Sequence, residues 1–146
     1  MEHRLASALE RLPHGPEFRF VDRLTRLEPG KSGEAEYRVR GDESFLRGHF
    51  PGDPLFPGVL LAEAAAQTAG VVAQCDPALP PLAGLKLTGL RQIKILGTAR
   101  PGEILVIRAQ ILARMANLVQ AAVEISVGQQ LILKGEVTLS GASQPG

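Results

Sequence analysis

Three residues stand where acid–base chemistry beside a carbonyl would need them: His49, Gly58 and Glu63. His49 lies in GHFPGDPLFPG, residues 48 to 58, a segment with three prolines and three glycines. Proline fixes φ, so Pro51, Pro54 and Pro57 hold the imidazole in place rather than letting it sweep. Histidine is the side chain best matched to proton transfer near neutral pH. An imidazole in such a loop either does that work or hydrogen-bonds a loop carbonyl. Glu63 falls in the second turn of a helix that is apolar on nearly every face, where an unpaired carboxylate is costly to bury. Burial favours the neutral carboxyl and makes it a proton donor. The alternatives are a glutamate at the solvent edge of the helix, or one satisfied by Gln67 a turn later. Gly58 opens that helix, and its N–H is one of the unpaired donors at the positive end of the dipole. Such a donor can polarise a thioester carbonyl, and the missing side chain leaves room for close approach; equally, the glycine serves only the turn.

The remaining polar residues invite plainer readings. His14, in LPHGP, reads as a structural or surface histidine, and Asp53, before a proline, as a turn residue. Gln67 orients Glu63 or is a buried amide. Cys75 has no neighbouring base to make it nucleophilic and reads as an inert thiol. Arg91, Lys94, Arg100, Arg108 and Arg114 form either a basic strip for an acidic partner or ordinary solvated strand faces.

Several elements must position these groups. Residues 2 to 12 repeat leucine at helical spacing (Leu5, Leu9, Leu12) and stop at Pro13, Gly15 and Pro16. Phe18 to Leu27 and Glu34 to Arg40 alternate apolar and polar residues around the turn EPGKSG, which predicts a hairpin. GVLLAEAAAQTAGVVAQ, residues 58 to 74, is rich in alanine and leucine and predicts the buried helix, with Pro57 tolerated at its start. Glu63 and Gln67 make its one polar face. Four further strands are expected over 82–96, 103–115, 118–128 and 130–141, followed by a mobile GASQPG tail. One apolar helix with six strands predicts a sheet wrapped around the helix, whose free edges a dimer would protect.

Bulk composition narrows the function. The 146 residues fit one domain, 1–146, large enough for a real core. A net charge of +1 and 4% aromatic residues offer nothing to nucleic acid. There is no GxGxxG or GxxxxGKS loop, no CxxC pair, and His3, His14 and His49 are too scattered for metal-ligand spacing. A single cysteine allows no intramolecular disulfide, the N-terminal residues lack the apolar run of a secretory leader, and residues 59–73 are too short and interrupted to span a bilayer. A cytoplasmic protein without membrane insertion is expected.

Residues 48 to 67, GHFPGDPLFPGVLLAEAAAQ, resemble the GHFPGxPxxPGVLxxEAxAQ signature of FabZ/FabA-type 3-hydroxyacyl-(acyl-carrier-protein) dehydratases, with the same fourteen-position separation of histidine and carboxylate. Weaker similarity extends to LPHGPEFRFVDRL (12–24), LAG (82–84) and PGE (101–103). The resemblance implies an α+β hot-dog fold and dimers, often trimers of dimers, with active sites shared between subunits. His49 of one subunit would take the α-proton, and Glu63 of the other would protonate the departing β-hydroxyl. The Gly58 N–H would hold the thioester oxygen, and the Leu55 carbonyl would orient His49. The acyl group would ride on the phosphopantetheine of an acyl carrier protein, or on coenzyme A, with no metal or redox cofactor, in fatty acid or related lipid biosynthesis. Gly15 and Pro16 replace a basic and an aromatic residue of the related motif LPHRYPF, and Ile93 stands where the family often has phenylalanine. Asp53 is the FabA-like choice and Glu63 the FabZ-like one, which favours dehydration without isomerisation. The rival expectations are a hot-dog thioesterase, with Glu63 activating water, and a non-catalytic subunit that binds acyl carriers.

Overall fold

The computed structural model describes residues 2–143. Helix α1 (Glu2–Leu9) is shorter than expected. Residues 10 to 12 close instead with tight i→i−3 bonds, Glu10 N to Ser7 O at 3.1 Å through Leu12 N to Leu9 O at 3.0 Å, the usual tightening of a helix end ahead of a proline. Helix α2 occupies Gly58–Gln74, as its composition predicts. Six strands follow the expected order: β1 (Arg23–Glu28), β2 (Ser32–Arg38), β3 (Leu82–Ile95), β4 (Ile104–Met115), β5 (Leu118–Val127) and β6 (Gln130–Ser143).

Strand β2 lies two residues earlier than the expected Glu34 to Arg40, and two other boundaries differ for physical reasons. The expected strand from Phe18 begins only at Arg23, and Pro16–Phe18 form a 3₁₀ turn. The Phe20 N–H is spent on Gln67 Oε1 at 2.8 Å, and the Phe18 carbonyl accepts from Gln67 Nε2 at 2.8 Å. This stretch is therefore tied to the helix, not to a neighbouring strand. The tail departs in the other direction, since residues 141–143 continue β6; residues 144–146 lie outside the described residues.

The strands form one antiparallel sheet in the order β1-β2-β4-β5-β6-β3, and β2 to β6 all contact α2. Eleven of the seventeen helix residues are buried, six of them alanines, which lets the sheet come close. Gly33 marks the limit: a Cβ there would stand 2.7 Å from Val72 Cγ2 and 3.3 Å from the Arg26 carbonyl oxygen. The C-terminus of α2 is held by the Gly30 N–H on Val72 O (2.9 Å) and by Arg114, which donates to the carbonyls of Ala73 (3.1 Å) and Pro80 (2.6 Å). These bonds satisfy carbonyls a helix end leaves open and fix where its polar face emerges. Irregularities in the β3–β6 pairing bend the sheet. Strand β3 is an edge of that sheet and exposes Leu90 and Ile95.

Candidate active site

The His49 loop is a closed knot of backbone bonds. Phe50 and Asp53 exchange N–H to carbonyl bonds at 3.0 and 2.9 Å, and Leu55 N–H donates to His49 O at 2.7 Å. His49 Nδ1 lies 2.8 Å from the Leu55 carbonyl oxygen. A carbonyl can only accept, so Nδ1 carries the hydrogen, and in the neutral ring Nε2 presents its lone pair. The loop is tied to the β3–β4 connection by Phe56 N–H on Ala99 O (2.9 Å) and by the Asp53–Arg100 ion pair at 2.7 Å. Asp53 is thus more than a turn residue, and Arg100 is no part of a basic strip. Arg108 is likewise paired with Glu34 at 2.9 Å, and Arg114 is spent on carbonyls. Three of the five basic residues are thus engaged within the chain, while Lys94 and Arg108 still share one surface depression with Arg26 and Lys134.

The chain's few aromatic residues gather under this region. Phe18, Phe20, Tyr37, Phe45 and Phe56 meet with ring centroids 4.9–6.0 Å apart, and Phe50 stacks on His49 at 4.2 Å. Phe20, Tyr37 and Phe56 are fully buried. Phe18 and Phe20 belong to the segment after His14; Phe45 and Phe56 flank the His49 loop. One aromatic cluster therefore anchors both histidine-bearing turns. Its polar edge is the Tyr37 hydroxyl, which donates to Glu43 Oε2 at 2.6 Å, while the N–H groups of Arg40 and Gly41 donate to the same carboxylate at 3.0 and 2.7 Å. Desolvation pushes Glu43 up, but the bonds from Tyr37 and the backbone outweigh it and hold the carboxyl below its ordinary range. Burial, reinforced by Glu43, pushes the Tyr37 phenol up.

Glu63 is neither fully buried nor unpaired. Its side chain keeps 20% of its exposure, Gln67 Nε2 donates to Oε2 at 3.1 Å, and His14 Nε2 stands 3.4 Å from the same oxygen. The carboxyl opens into a cavity of about 660 Å³ lined by His14, Gln67, Gly70, Gln74 and Leu85 among others. Gly58 begins α2 after Pro57, and no protein acceptor engages its N–H among the described residues. A Cβ on Gly58 would stand 2.7 Å from Ile95 Cδ1, so the helix start lies against β3.

Within one chain, then, Glu63, Gln67 and His14 come together, as do His49 and Leu55, but no hydrogen bond or ion pair joins the two groups among the described residues, and His49 does not line the Glu63 cavity. His14 is the contact that sequence reasoning missed. The available signal was its setting between Pro13 and Pro16, which restrains it as the loop prolines restrain His49. Burial pushes the Cys75 thiol up, with Arg11 pulling weakly the other way, which suits an unreactive thiol. No helix is long and apolar enough to cross a membrane, and no three His, Cys, Asp or Glu side chains converge as a metal site among the described residues.

Comparison with known proteins bears on the family and the fold. Residues 12–136 match the FabA-like domain model. The chain is 36% identical over 128 residues to the 3-hydroxyacyl-[acyl-carrier-protein] dehydratase FabZ of Ruminiclostridium cellulolyticum, covering 88% of this chain and 89% of that protein. It is 35% identical over 126 residues to the FabZ of Clostridioides difficile, covering 86% and 88%. Among solved structures, the dehydratase heterocomplex ApeI:P from Xenorhabdus doucetiae superposes with a TM-score of 0.78 at 18% identity, over 94% of this chain and 91% of that one. Zebrafish thioesterase superfamily member 2 superposes with a TM-score of 0.69 at 17% identity, over 94% of each chain. These two likenesses establish the hot-dog fold. With that fold and those FabZ relatives, the chain belongs to the FabA-like dehydratase family.

Proposed function

We propose that the protein eliminates water from 3-hydroxyacyl thioesters carried on acyl carrier protein, in a site shared by two copies of the chain. What carries this is the state of the His49 ring: with Nδ1–H spent on Leu55 O, Nε2 is left as a proton acceptor. Nε2 takes the α-proton, and the electron pair of that C–H bond becomes the Cα=Cβ double bond. The Cβ–O bond breaks, and the leaving hydroxyl takes its proton from Glu63 and departs as water. The Gly58 N–H, free at the helix start, holds the thioester oxygen while charge develops there. His49 is left as imidazolium and Glu63 as carboxylate, and proton exchange through solvent restores both.

The pair is drawn from two subunits because Glu63 opens into a cavity that His49 of its own chain does not line. The free β3 edge, with Leu90 and Ile95 exposed, offers a second copy a strand to pair with. A positioned acid or base contributes ~10²–10⁴-fold, and an oxyanion donor on the order of 10²–10³-fold, so these groups suffice for a lyase without a redox cofactor.

The test is to incubate the purified protein with a 3-hydroxyacyl carrier-protein thioester. The expected product is the trans-2-enoyl thioester. Release of free thiol would mark thioester hydrolysis instead, and binding of the carrier without turnover would mark a non-catalytic subunit.

A further inference from the structure

The Glu63 carboxyl has two oxygens, and the fold treats them differently. Oε2 is approached by Gln67 Nε2 at 3.1 Å and by His14 Nε2 at 3.4 Å, whereas no protein group engages Oε1 among the described residues. Gln67 is immobilised by its own bonds to Phe18 O and Phe20 N, both 2.8 Å, so it is a fixed donor. His14 is restrained by Pro13 and Pro16 and lies stacked with Phe18 at a ring separation of 6.3 Å. Its Nδ1 is buried without a partner among the described residues. A histidine kept for structure normally has its buried nitrogens satisfied by backbone. Among the described residues, Glu63 is the only polar group that engages the ring.

We infer that His14 is a positioning residue for Glu63, an inference that rests on the dehydratase reading above. With Gln67 it clamps Oε2, so the transferable proton belongs on Oε1, the oxygen that neither residue approaches. When Oε1 gives that proton to the leaving hydroxyl, the negative charge that forms is already met by two donors on Oε2. The clamp therefore acts on the chemical step more than on substrate binding. At 3.4 Å the His14 contact is longer than a good hydrogen bond, and catalytic contacts of this kind tighten when substrate is bound.

The experiment compares His14→Phe, which keeps a ring beside Phe18 but has no donor, with His14→Gln, whose amide nitrogen reaches the position of Nε2. Each is assayed with wild type on the 3-hydroxyacyl carrier-protein thioester. The expected result is a kcat about 10- to 100-fold lower for His14→Phe, the effect of losing one hydrogen bond to a charged group, with KM nearly unchanged. His14→Gln should recover most of that loss. Should the phenyl ring prevent folding, His14→Asn makes the same contrast with His14→Gln, because its shorter amide cannot reach Glu63. An unaltered kcat in the donor-less variant, or an equal loss in His14→Gln, would overturn the role of His14 while wild-type turnover left the dehydratase intact. A wild type with no turnover would overturn both.

Discussion

The two histidine-bearing turns are built alike and end in opposite states. Both are braced by prolines and both rest on the Phe20 aromatic cluster. In the longer turn, His49 gives Nδ1 to a carbonyl of its own loop and leaves Nε2 open. In the shorter one, His14 holds Nε2 3.4 Å from the Glu63 carboxyl and leaves Nδ1 with no partner among the described residues. The same side chain is thus presented once bound to a carbonyl of its own loop and once beside the carboxyl of a distant helix. What distinguishes them is the partner that each turn brings within reach, not the residue type.

Breaking the longer turn's histidine should have the largest effect. His49→Ala is expected to lower kcat/KM by ~10²–10⁴-fold, read in the enoyl-forming assay, with an unchanged melting temperature. Glu63→Gln should cost about as much by the same assay, because the amide keeps the shape of the carboxyl but has no proton of suitable acidity to give. The support that the turns share is tested by Phe20→Ala, which empties the centre of the aromatic cluster. Loss of a buried phenylalanine costs ~3–5 kcal/mol, so chemical denaturation should show a large drop in stability.

Smaller effects sharpen the contrast. Glu43 stabilises the cluster's Tyr37 edge, and its carboxyl is held low in the folded state. A group depressed in this way contributes stability above its unfolded value, and that contribution disappears as pH falls through its folded value. Melting temperature measured from about pH 6 down to about pH 3, across the ordinary glutamate range, should therefore fall more steeply in wild type than in Glu43→Gln. Asp53→Ala removes only the exposed ion pair with Arg100 beneath the His49 turn. Such pairs are worth ~0–1 kcal/mol, so stability should barely move and kcat should fall far less than in His49→Ala.

Legibility in the sequence followed the range of the interactions. The α2 boundaries were readable because alanine-rich composition, Pro57 and the CDP turn are local signals. The His49 loop was readable for the same reason. The start of β1 was not, because the bonds that hold residues 18 to 20 come from Gln67, 47 and 49 positions away. His14 was set aside for a related reason: its partner Glu63 is distant in the chain and is met only after α2 docks in the sheet. Whether the basic residues form a strip or solvated strand faces depends on strand pairing, which places Arg108 opposite Glu34.

The most direct measurement uses the inactive variants together. His49→Ala and Glu63→Gln chains are co-expressed, purified together without sorting the dimers and assayed on a 3-hydroxyacyl carrier-protein thioester. If imidazole and carboxyl meet across two copies, random pairing should restore about a quarter of wild-type turnover, since about half the dimers are mixed and each of those holds one intact site. Activity no higher than that of either variant alone, from a mixture shown to contain mixed dimers, would contradict the shared site.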